Sequence, residues 1–270
     1  MKKTTIIWDL DGTLMDTLQD LANAVNHALR KFHLPEHTIE EIRQYVGNGV
    51  RRLMILSVPQ GEQHPQFEEI FAEFKAYYVV HCKDNTNLYA GVAEMLRDLK
   101  QKGFRMAVVS NKLQSGVDEL YEEYFKDTIE VAIGERPNVA RKPAPDMVYA
   151  ALKSLGVSKE EAVYVGDSDV DLATARNASL PCISVLWGFR DKDFLLQHGA
   201  TTFAEKPEEI GKSTSDNLNN KSTYVSTLSL QKAKDMVEEL FREIRDELNN
   251  SGYDFNNTIS YLKEISEREY

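Results

Sequence analysis

The stretch IIWDLDGTL (residues 6–14) decides how the rest of the chain is interpreted, because two carboxylates follow a continuous apolar run. Such a run is typical of a strand that is covered on both faces in a parallel sheet. Asp9 and Asp11 stand where this strand ends, and Gly12 permits a sharp turn that keeps both side chains directed to one place. An isolated Asp-Gly pair after a strand is often only a turn or a helix cap, so the chemistry depends on what lies at the other strand ends.

Four later apolar runs repeat this pattern, and segments with helical periodicity separate them. The sequence therefore predicts an α/β fold with a Rossmann-like parallel sheet as its core. In such sheets the ligand crevice lies outside the carboxyl ends of the strands, so the residues that follow the runs are expected to converge. The four runs are FRMAVV (104–109), IEVAI (129–133), AVYV (162–165) and CISVLW (182–187).

The segment between the first strand and the second has only helical patterns. One apolar stripe begins at Leu18, another begins at Phe67, and Thr38 opens a capping box. We interpret residues 17–87 as a helical cap domain inserted into a catalytic core formed by residues 1–16 and 88–210. Because the chain crosses between the two parts twice, the cap is suited to hinge closure over the crevice, and we expect it to act as a lid.

The composition changes near the end of the core. Residues 211–227 are rich in Ser, Thr and Asn and predict a linker, whereas residues 228–270 regain helical spacing and predict a helical hairpin extension. This hairpin is too small to bury its own core. It is expected either to pack on its own catalytic core or to bind another copy of the chain or a protein partner.

Charge and composition exclude several classes of function. The formal net charge of the 270 residues is -11, which argues against a broad surface for nucleic acid or anionic membrane. Cys82 and Cys182 match no metal-binding or redox spacing, and the first residues lack the apolar core of a signal peptide. No segment approaches the ~18 apolar residues of a membrane span. We therefore expect a cytoplasmic protein without a nucleic-acid or membrane partner.

The sequence GDSDVD (166–171) brings three more carboxylates to the end of the AVYV run. Several carboxylates in one crevice repel one another and are costly to desolvate, so a hard cation is expected among them. Oxygen ligands together with a phosphate suit Mg²⁺. Asp169 or Asp171 could instead cap the next helix, and this alternative stays open for each of them.

Two further motifs carry groups suited to phosphate. Lys142 precedes a proline in RKPAP (141–145) and could hold its ammonium over the crevice, where it would offset negative charge. Ser110 and Asn111 follow a strand and offer a hydroxyl and a backbone N–H to a phosphoryl oxygen. Taken singly, Lys142 could be a solvated loop charge and Ser110 a helix cap.

Taken together and in this order, the motifs resemble those of the haloacid dehalogenase superfamily over about residues 1–210. The insertion point of the cap resembles the C1 subclass of that superfamily. Three further segments resemble its phosphoglycolate phosphatase-like members. The segments that carry the resemblance are DLDGT (9–13), SN (110–111), Lys142 with PAP after it, GDSDVD (166–171), VGNGVRRLM (46–54), NLYAGV (87–92) and SNKL (110–113).

The resemblance implies a role for each matched residue. Asp9 is implied as nucleophile and Asp11 as general acid/base, with Lys142 completing the catalytic group. Mg²⁺ is implied at Asp9, at the Asp11 carbonyl and at Asp167, with Asp171 near the metal or the lysine. The expected substrate contacts are Gly12, Thr13, Ser110 and Asn111 in the core and Asn48, Arg51 and Arg52 in the cap; an exposed helix face is the alternative for the two arginines.

The function implied by the resemblance is a Mg²⁺-dependent phosphatase. It would hydrolyse a small phosphorylated metabolite, a phosphoglycolate-like phosphomonoester, through an aspartyl-phosphate intermediate. Dehalogenases of the superfamily lack the second aspartate of the first motif, so Asp11 favours phosphoryl chemistry. Two alternatives stay open at this point: a sugar-phosphate mutase of the same family, and a phosphatase-derived core that serves mainly to present its C-terminal tail to a partner.

Overall fold

The structure, a computed structural model, describes residues 3–211. The predicted linker beyond Gly211 and the predicted hairpin at 228–270 lie outside the described residues. Within the described part, no helix combines the length and the apolar character needed to cross a membrane.

The described chain alternates strands and helices. Its strands are β1 (Thr5–Trp8), β2 (Met15–Asp16), β3 (Asn87–Leu88), β4 (Arg105–Leu113), β5 (Val131–Glu135), β6 (Ala162–Gly166), β7 (Cys182–Val185) and β8 (Phe203–Ala204). Its α-helices are α1 (Leu18–Lys31), α2 (Ile39–Tyr45), α3 (Gly49–Ser57), α4 (Phe67–His81), α5 (Val92–Gln101), α6 (Gln114–Leu120), α7 (Asp146–Leu155), α8 (Asp169–Ala178) and α9 (Lys192–Gln197).

Six strands form a parallel sheet in the order β5-β4-β1-β6-β7-β8. The strand order reverses direction at β1, between β4 and β6, which is the position at which open α/β sheets bind ligands. The predicted α/β fold with a Rossmann-like sheet is confirmed, and all five predicted apolar runs are strands. The short edge strand β8 was not predicted, because a two-residue strand leaves no periodic signal.

Alternate residues of β1 enter separate cores on the two faces of the sheet. Ile6 and Trp8 pack with α5 and α6 on one face, whereas Ile7 packs with α7 and α8 on the other. All three side chains are almost completely buried. Burial of each contributes about 1.5–3 kcal/mol to folding, so the two cores hold the carboxyl end of β1 in place.

The helices α1 to α4 form a separate apolar core, and residues 17–87 are called the helical insert below. The predicted capping box is present, because the Thr38 side chain accepts from the Glu41 N–H and the Glu41 carboxylate accepts from the Thr38 N–H. In α4 the buried face ends on Tyr78, whereas the neighbouring Tyr77 stays half-buried and stacks on His27. Tyr78 therefore points to the interior.

A two-stranded antiparallel sheet joins the insert to the core. Met15 pairs with Leu88 and Asp16 pairs with Asn87, so the outgoing and returning chains run side by side. The buried Asp20 carboxylate accepts hydrogen bonds from the returning chain, including both the N–H and the hydroxyl of Thr86 at 2.8 Å. These contacts anchor the first turn of α1 to the end of the insert.

Candidate active site

Asp9 and Asp11 lie where β1 ends, at the switch in strand order. The Asp9 N–H donates to the Val165 carbonyl at 2.9 Å, which extends the pairing of β1 and β6 by one residue. Gly12 then adopts a φ of 87°, and a Cβ at that position would lie 2.5 Å from a carboxylate oxygen of Asp167. Glycine is therefore required by backbone conformation and by space, and its absence of a side chain lets the first and last motifs meet.

Lys142 is buried among acidic partners. Its ammonium lies 2.6 Å from Asp9 Oδ1 and 2.8 Å from Asp171 Oδ1, and it donates to the Tyr164 hydroxyl at 3.2 Å. With 4 % of its surface exposed, Lys142 is not a solvated loop charge. Burial opposes the charged form, but the two carboxylates outweigh it and raise the pKa of Lys142 above its ordinary value.

Asn111 fixes the chain that carries this lysine. Its side-chain amide donates to the Lys142 carbonyl at 3.1 Å, and its Oδ1 accepts from the Lys142 N–H at 2.9 Å. The neighbouring Ser110 is buried, and its hydroxyl accepts the N–H of Lys112 at 3.1 Å. β4 continues through these residues with a shift in its pairing to β5, so both side chains stand at an irregular strand end that faces the cleft.

Asp171 serves both roles considered for it from the sequence. Its Oδ1 accepts from Lys142 and from the Tyr164 hydroxyl, whereas its Oδ2 accepts the N–H of Asp167 and the N–H and hydroxyl of Ser168. The Ser168 contacts form a capping box at the start of α8. The same carboxylate therefore caps a helix and holds the lysine.

Asp167 is fixed from two sides and is buried. Its Oδ1 accepts from the Thr13 hydroxyl at 3.1 Å, and its Oδ2 accepts the Phe189 N–H at 2.7 Å. Burial, followed by the nearby charge of Asp171, raises the pKa of Asp167 to about 7. The pKa of Asp9 is raised well above its ordinary value, first by burial and then by the charge of Asp171.

The three buried aspartates have too little positive charge near them. Carboxylate oxygens of Asp9, Asp167 and Asp171 all lie within 4.8 Å of one another. The Lys142 ammonium contacts Asp9 and Asp171, but burial and the charge of Asp171 still raise the pKa values of Asp9 and Asp167. A hard, oxygen-preferring cation suits this donor set because it would relieve that repulsion. Asp11 lies outside this group of buried side chains, and 21 % of its side chain is exposed.

A cleft of about 510 Å³, counted out to open solvent, lies above these groups. Residues of the core form its floor, and residues of the helical insert form its roof. The floor consists of Asp9, Asp11, Ser110, Asn111, Lys112 and Lys142, and the roof consists of Leu21, Val46, Gly47, Gly49, Val50, Leu53 and Tyr78.

The comparison with protein families decides the assignment. The sequence profile of the family described as "Haloacid dehalogenase-like hydrolase" matches residues 6–185, which is more than half of the chain. This chain belongs to that family. The match runs from β1 to the end of β7 and therefore includes every motif that meets in the cleft.

Characterised relatives place this haloacid dehalogenase-like hydrolase among the phosphatases of its family. It is 32% identical to a phosphoglycolate phosphatase of Aquifex aeolicus over 68% of this chain and 85% of that protein. It is also 32% identical to phosphoglycolate phosphatase 1 of Pseudomonas aeruginosa over 75% of this chain and 74% of that protein. A solved structure from Lactobacillus delbrueckii superimposes with a TM-score of 0.74 at 35% identity and covers 78% of this chain and 97% of its own.

The cap residues expected at the substrate lie away from the cleft floor of this hydrolase. The Arg51 guanidinium pairs with Glu62 at 3.0 Å and also with Glu68, and it lies over the ring of Phe67. Asn48 and Arg52 are exposed at the start of α3. None of these three side chains lines the cleft. The structure therefore brings Gly12, Thr13, Ser110 and Asn111 to the carboxylates but does not bring the three cap residues there.

Two buried groups in the cleft were not singled out from the sequence. Lys112 follows Asn111 within the SNKL segment (110–113), where no role was assigned to it from the sequence, and only 9 % of it is exposed. Its ammonium donates to the Tyr78 hydroxyl at 2.6 Å and lies 3.5 Å from Asp11 Oδ1. Burial raises the pKa of Tyr78 to about 12, so this hydroxyl stays protonated. Only the position of the lysine directly after a motif could have marked it.

A loop after β7 forms a second contact between core and insert that the sequence did not reveal. The Phe189 side chain packs into the core of the insert, and its carbonyl accepts from Arg43 Nε at 2.8 Å. In return, Arg190 donates to the carbonyls of Arg43 and Val46, each at 2.7 Å. Because the Phe189 N–H also holds Asp167, this loop links the insert to the carboxylates.

Proposed function

We propose that this phosphatase hydrolyses a small phosphomonoester in a Mg²⁺-dependent reaction that passes through an aspartyl-phosphate on Asp9. The observation that carries the proposal is the buried contact of Lys142 with Asp9 at 2.6 Å, within a cluster of three aspartates below an open cleft. A nucleophilic carboxylate needs such a cation beside it, because its attack brings it against the negative charge of a phosphoryl group.

The metal is assigned to the side chains of Asp9 and Asp167 and to the main-chain carbonyl of Asp11. Asp9 and Asp167 have carboxylate oxygens that are close together, buried and repelled by each other's charge. The oxygens of Asp171 already accept five hydrogen bonds, so its proposed role is to position Lys142 and the start of α8. When bound, Mg²⁺ would neutralise the carboxylates and polarise the phosphoryl oxygens.

The side chains can divide the reaction into two displacements. A carboxylate oxygen of Asp9 attacks phosphorus, the bond between phosphorus and the leaving oxygen breaks, and Asp11 donates its proton to that oxygen. Asp11 then accepts a proton from water as the water attacks phosphorus, which frees inorganic phosphate and restores Asp9. Lys142 and Ser110 line the cleft, and their proposed role is to hold the phosphoryl oxygens during both displacements.

The helical insert is assigned the role of a lid that selects the substrate. Its residues form the roof of the cleft, and the roof is mostly apolar or glycine. Closure of such a roof excludes bulk water from the phosphorylated Asp9 and limits the size of the leaving group. The relatives named phosphoglycolate phosphatases support a small, anionic leaving group as the starting hypothesis.

Replacement of the nucleophile tests the mechanism. Asp9→Asn keeps the shape of the side chain but removes the nucleophile, so release of phosphate from phosphoglycolate and from p-nitrophenyl phosphate is expected to vanish. Asp98→Asn is the matched control, because Asp98 is exposed and pairs only with Lys102 on the surface. If Asp9→Asn retained more than a few per cent of wild-type turnover, the covalent mechanism would be wrong.

Removal of metal tests the cofactor, and analysis of products tests the reaction type. EDTA is expected to abolish turnover and Mg²⁺ to restore it, whereas the larger and looser coordination sphere of Ca²⁺ should not support the reaction. Full activity in chelator would contradict the metal assignment. Conversion of a sugar phosphate into its isomer without net release of phosphate would instead identify a mutase.

A further inference from the structure

Lys112 presents a buried positive charge to the cleft that the proposed mechanism does not use. It lies at the end of β4, and only 7 % of its side chain is exposed. Its nearest partner is the neutral Tyr78 hydroxyl at 2.6 Å, and the nearest carboxylate, that of Asp11, is at 3.5 Å. An ammonium carries three donor hydrogens, so these contacts leave it able to bind a further acceptor.

Lys142 provides a comparison, because its charge has closer partners than that of Lys112. Lys142 contacts two carboxylates at 2.6 and 2.8 Å and a hydroxyl at 3.2 Å, so its charge is closely paired within the protein. Both lysines line the cleft and both are at least nine-tenths buried. A buried charge is costly unless it is closely paired. Lys112 therefore has the stronger need for an anion in the cleft.

Tyr78 adds a second donor at the same place. Its hydroxyl oxygen accepts the hydrogen bond from Lys112, which leaves the phenolic proton to be donated. Among residues 3–211, the side-chain hydrogen bond of the Tyr78 hydroxyl is the one that it accepts from Lys112. Tyr78 belongs to α4 of the insert, whereas Lys112 belongs to the core, so a ligand held by both would bridge the two sides of the cleft.

The rest of the roof cannot bind an anion through charged side chains. It consists of four aliphatic side chains and two glycines besides Tyr78. We propose that Lys112 and Tyr78 form a specificity subsite that binds a carboxylate on the leaving group of the substrate. This inference rests on the proposed phosphatase function and extends it to the phosphate esters of 2-hydroxy acids.

The position of the subsite relative to Asp11 determines which hydroxyl carries the phosphate. In the proposed reaction Asp11 protonates the leaving oxygen, and the Lys112 ammonium lies 3.5 Å from the Asp11 carboxylate. A carboxylate attached to the carbon that bears the leaving oxygen stays beside that oxygen in every conformation. It would therefore reach Lys112 while the leaving oxygen contacts Asp11.

The test compares one acidic substrate with a neutral one of similar size. In the wild type, kcat/KM for phosphoglycolate is expected to exceed kcat/KM for ethyl phosphate, which lacks the carboxylate. Lys112→Met keeps the length of the side chain but removes the charge, and the ratio of the two kcat/KM values should fall at least about tenfold, as for loss of a charge-assisted hydrogen bond. Tyr78→Phe should lower the same ratio by a smaller factor.

Lys75→Met is the matched control, because Lys75 is exposed on the same helix as Tyr78 and lies outside the cleft lining. An equal loss on both substrates would overturn the subsite and would indicate that Lys112 acts through Asp11 or the fold. If Lys112→Met fails to fold, an unchanged ratio in Tyr78→Phe overturns it. A wild type that hydrolyses other phosphomonoesters but does not favour phosphoglycolate refutes the subsite alone, whereas a wild type that hydrolyses none refutes the proposed function.

Discussion

At the scale of single residues, the buried aspartates repel one another, and a bound metal ion would reduce that repulsion. The folded protein without metal raises the pKa of Asp167 to about 7 and raises the pKa of Asp9 in the same direction, mainly because both are buried. A carboxyl whose pKa is higher in the folded state than in the unfolded state binds more protons when folded. Its contribution to stability is therefore present at low pH and is lost as the pH rises through the folded pKa.

This linkage predicts how Mg²⁺ stabilises the protein at different pH values. As the pH rises to about 7, Asp167 loses its proton, so the metal-free fold should weaken while the affinity for Mg²⁺ rises. The increase in melting temperature on addition of Mg²⁺ is expected to be larger at pH 7.5 than at pH 5.5. Differential scanning fluorimetry of the EDTA-treated protein, with and without Mg²⁺, measures it.

Asp167→Asn should reduce the pH dependence of the melting temperature of the EDTA-treated protein, because the amide cannot titrate. The exposed-site variant Asp98→Asn provides the control and should behave like the wild type. An equal Mg²⁺-induced shift at both pH values in the wild type would contradict the linkage.

At the scale of elements, the loop after β7 connects α2 to the carboxylates. Arg43 donates to the carbonyls of Gly188 and Phe189, and the Phe189 N–H holds Asp167 at 2.7 Å. Gly188 is closely packed, because a Cβ there would overlap Asp167 and the Gly12 carbonyl. A displacement of α2 would therefore move the loop and with it the orientation of Asp167.

Arg43→Ala should loosen this contact without removing any group from the cleft. Hydrogen exchange is expected to rise in α2 and in residues 187–190, and kcat/KM should fall severalfold, since both lost hydrogen bonds are partly buried and have a charged donor. Arg30→Ala is the control, because Arg30 lies on the exposed surface of α1, where its side chain forms a salt bridge with Glu36. Unchanged exchange at residues 187–190 together with unchanged kcat/KM would show that the loop does not couple the two parts.

At the scale of the whole molecule, every assigned group lies well before the predicted linker at residues 211–227. The sheet, the cores on its two faces, the helical insert and the cleft are all formed by residues that lie within the described range 3–211. A fragment of residues 1–210 is therefore expected to keep kcat/KM for phosphoglycolate within about threefold of the full chain.

The predicted hairpin at 228–270 should affect association instead, so the native mass of the full chain and of the fragment is measured in the same experiment. A fragment with a native circular dichroism spectrum and no turnover would show that the C-terminal residues complete the active site. The prediction that these residues bind a partner or a second copy stays a prediction.

Short apolar runs made the fold predictable from the sequence. Contacts between residues that are far apart in the chain could not be predicted in this way. The long buried strands were visible as continuous apolar runs, and Asp9 and Asp167 followed from their positions at strand ends. Lys142 was inferred from the proline that follows it and from the family resemblance. Lys112 gave no such signal, because its burial depends on Tyr78, which comes from another part of the chain. Burial of a lysine is set by tertiary packing, and local sequence favours the exposed alternative.

The cap arginines illustrate the reverse case. Arg51 stands in a segment that resembles substrate-binding motifs, but two glutamates eleven and seventeen residues further on pair with it in the structure. Such pairs depend on how α3 packs against α4 and against the segment between the two helices. The hydrophobic periodicity of a sequence does not predict that packing. A substrate role for Asn48, Arg51 and Arg52 stays a prediction.

The small antiparallel sheet of β2 and β3 has a consequence for how such proteins diversify. Its register places the exit and the re-entry of the helical insert directly opposite each other, with paired Cα atoms about 5 Å apart. The chain therefore leaves the core and re-enters it at nearly the same place. A different domain with the same paired ends could therefore replace the insert between Asp16 and Asn87. Such a replacement would change which leaving group is accepted, while the phosphoryl-transfer residues of the core stay in place.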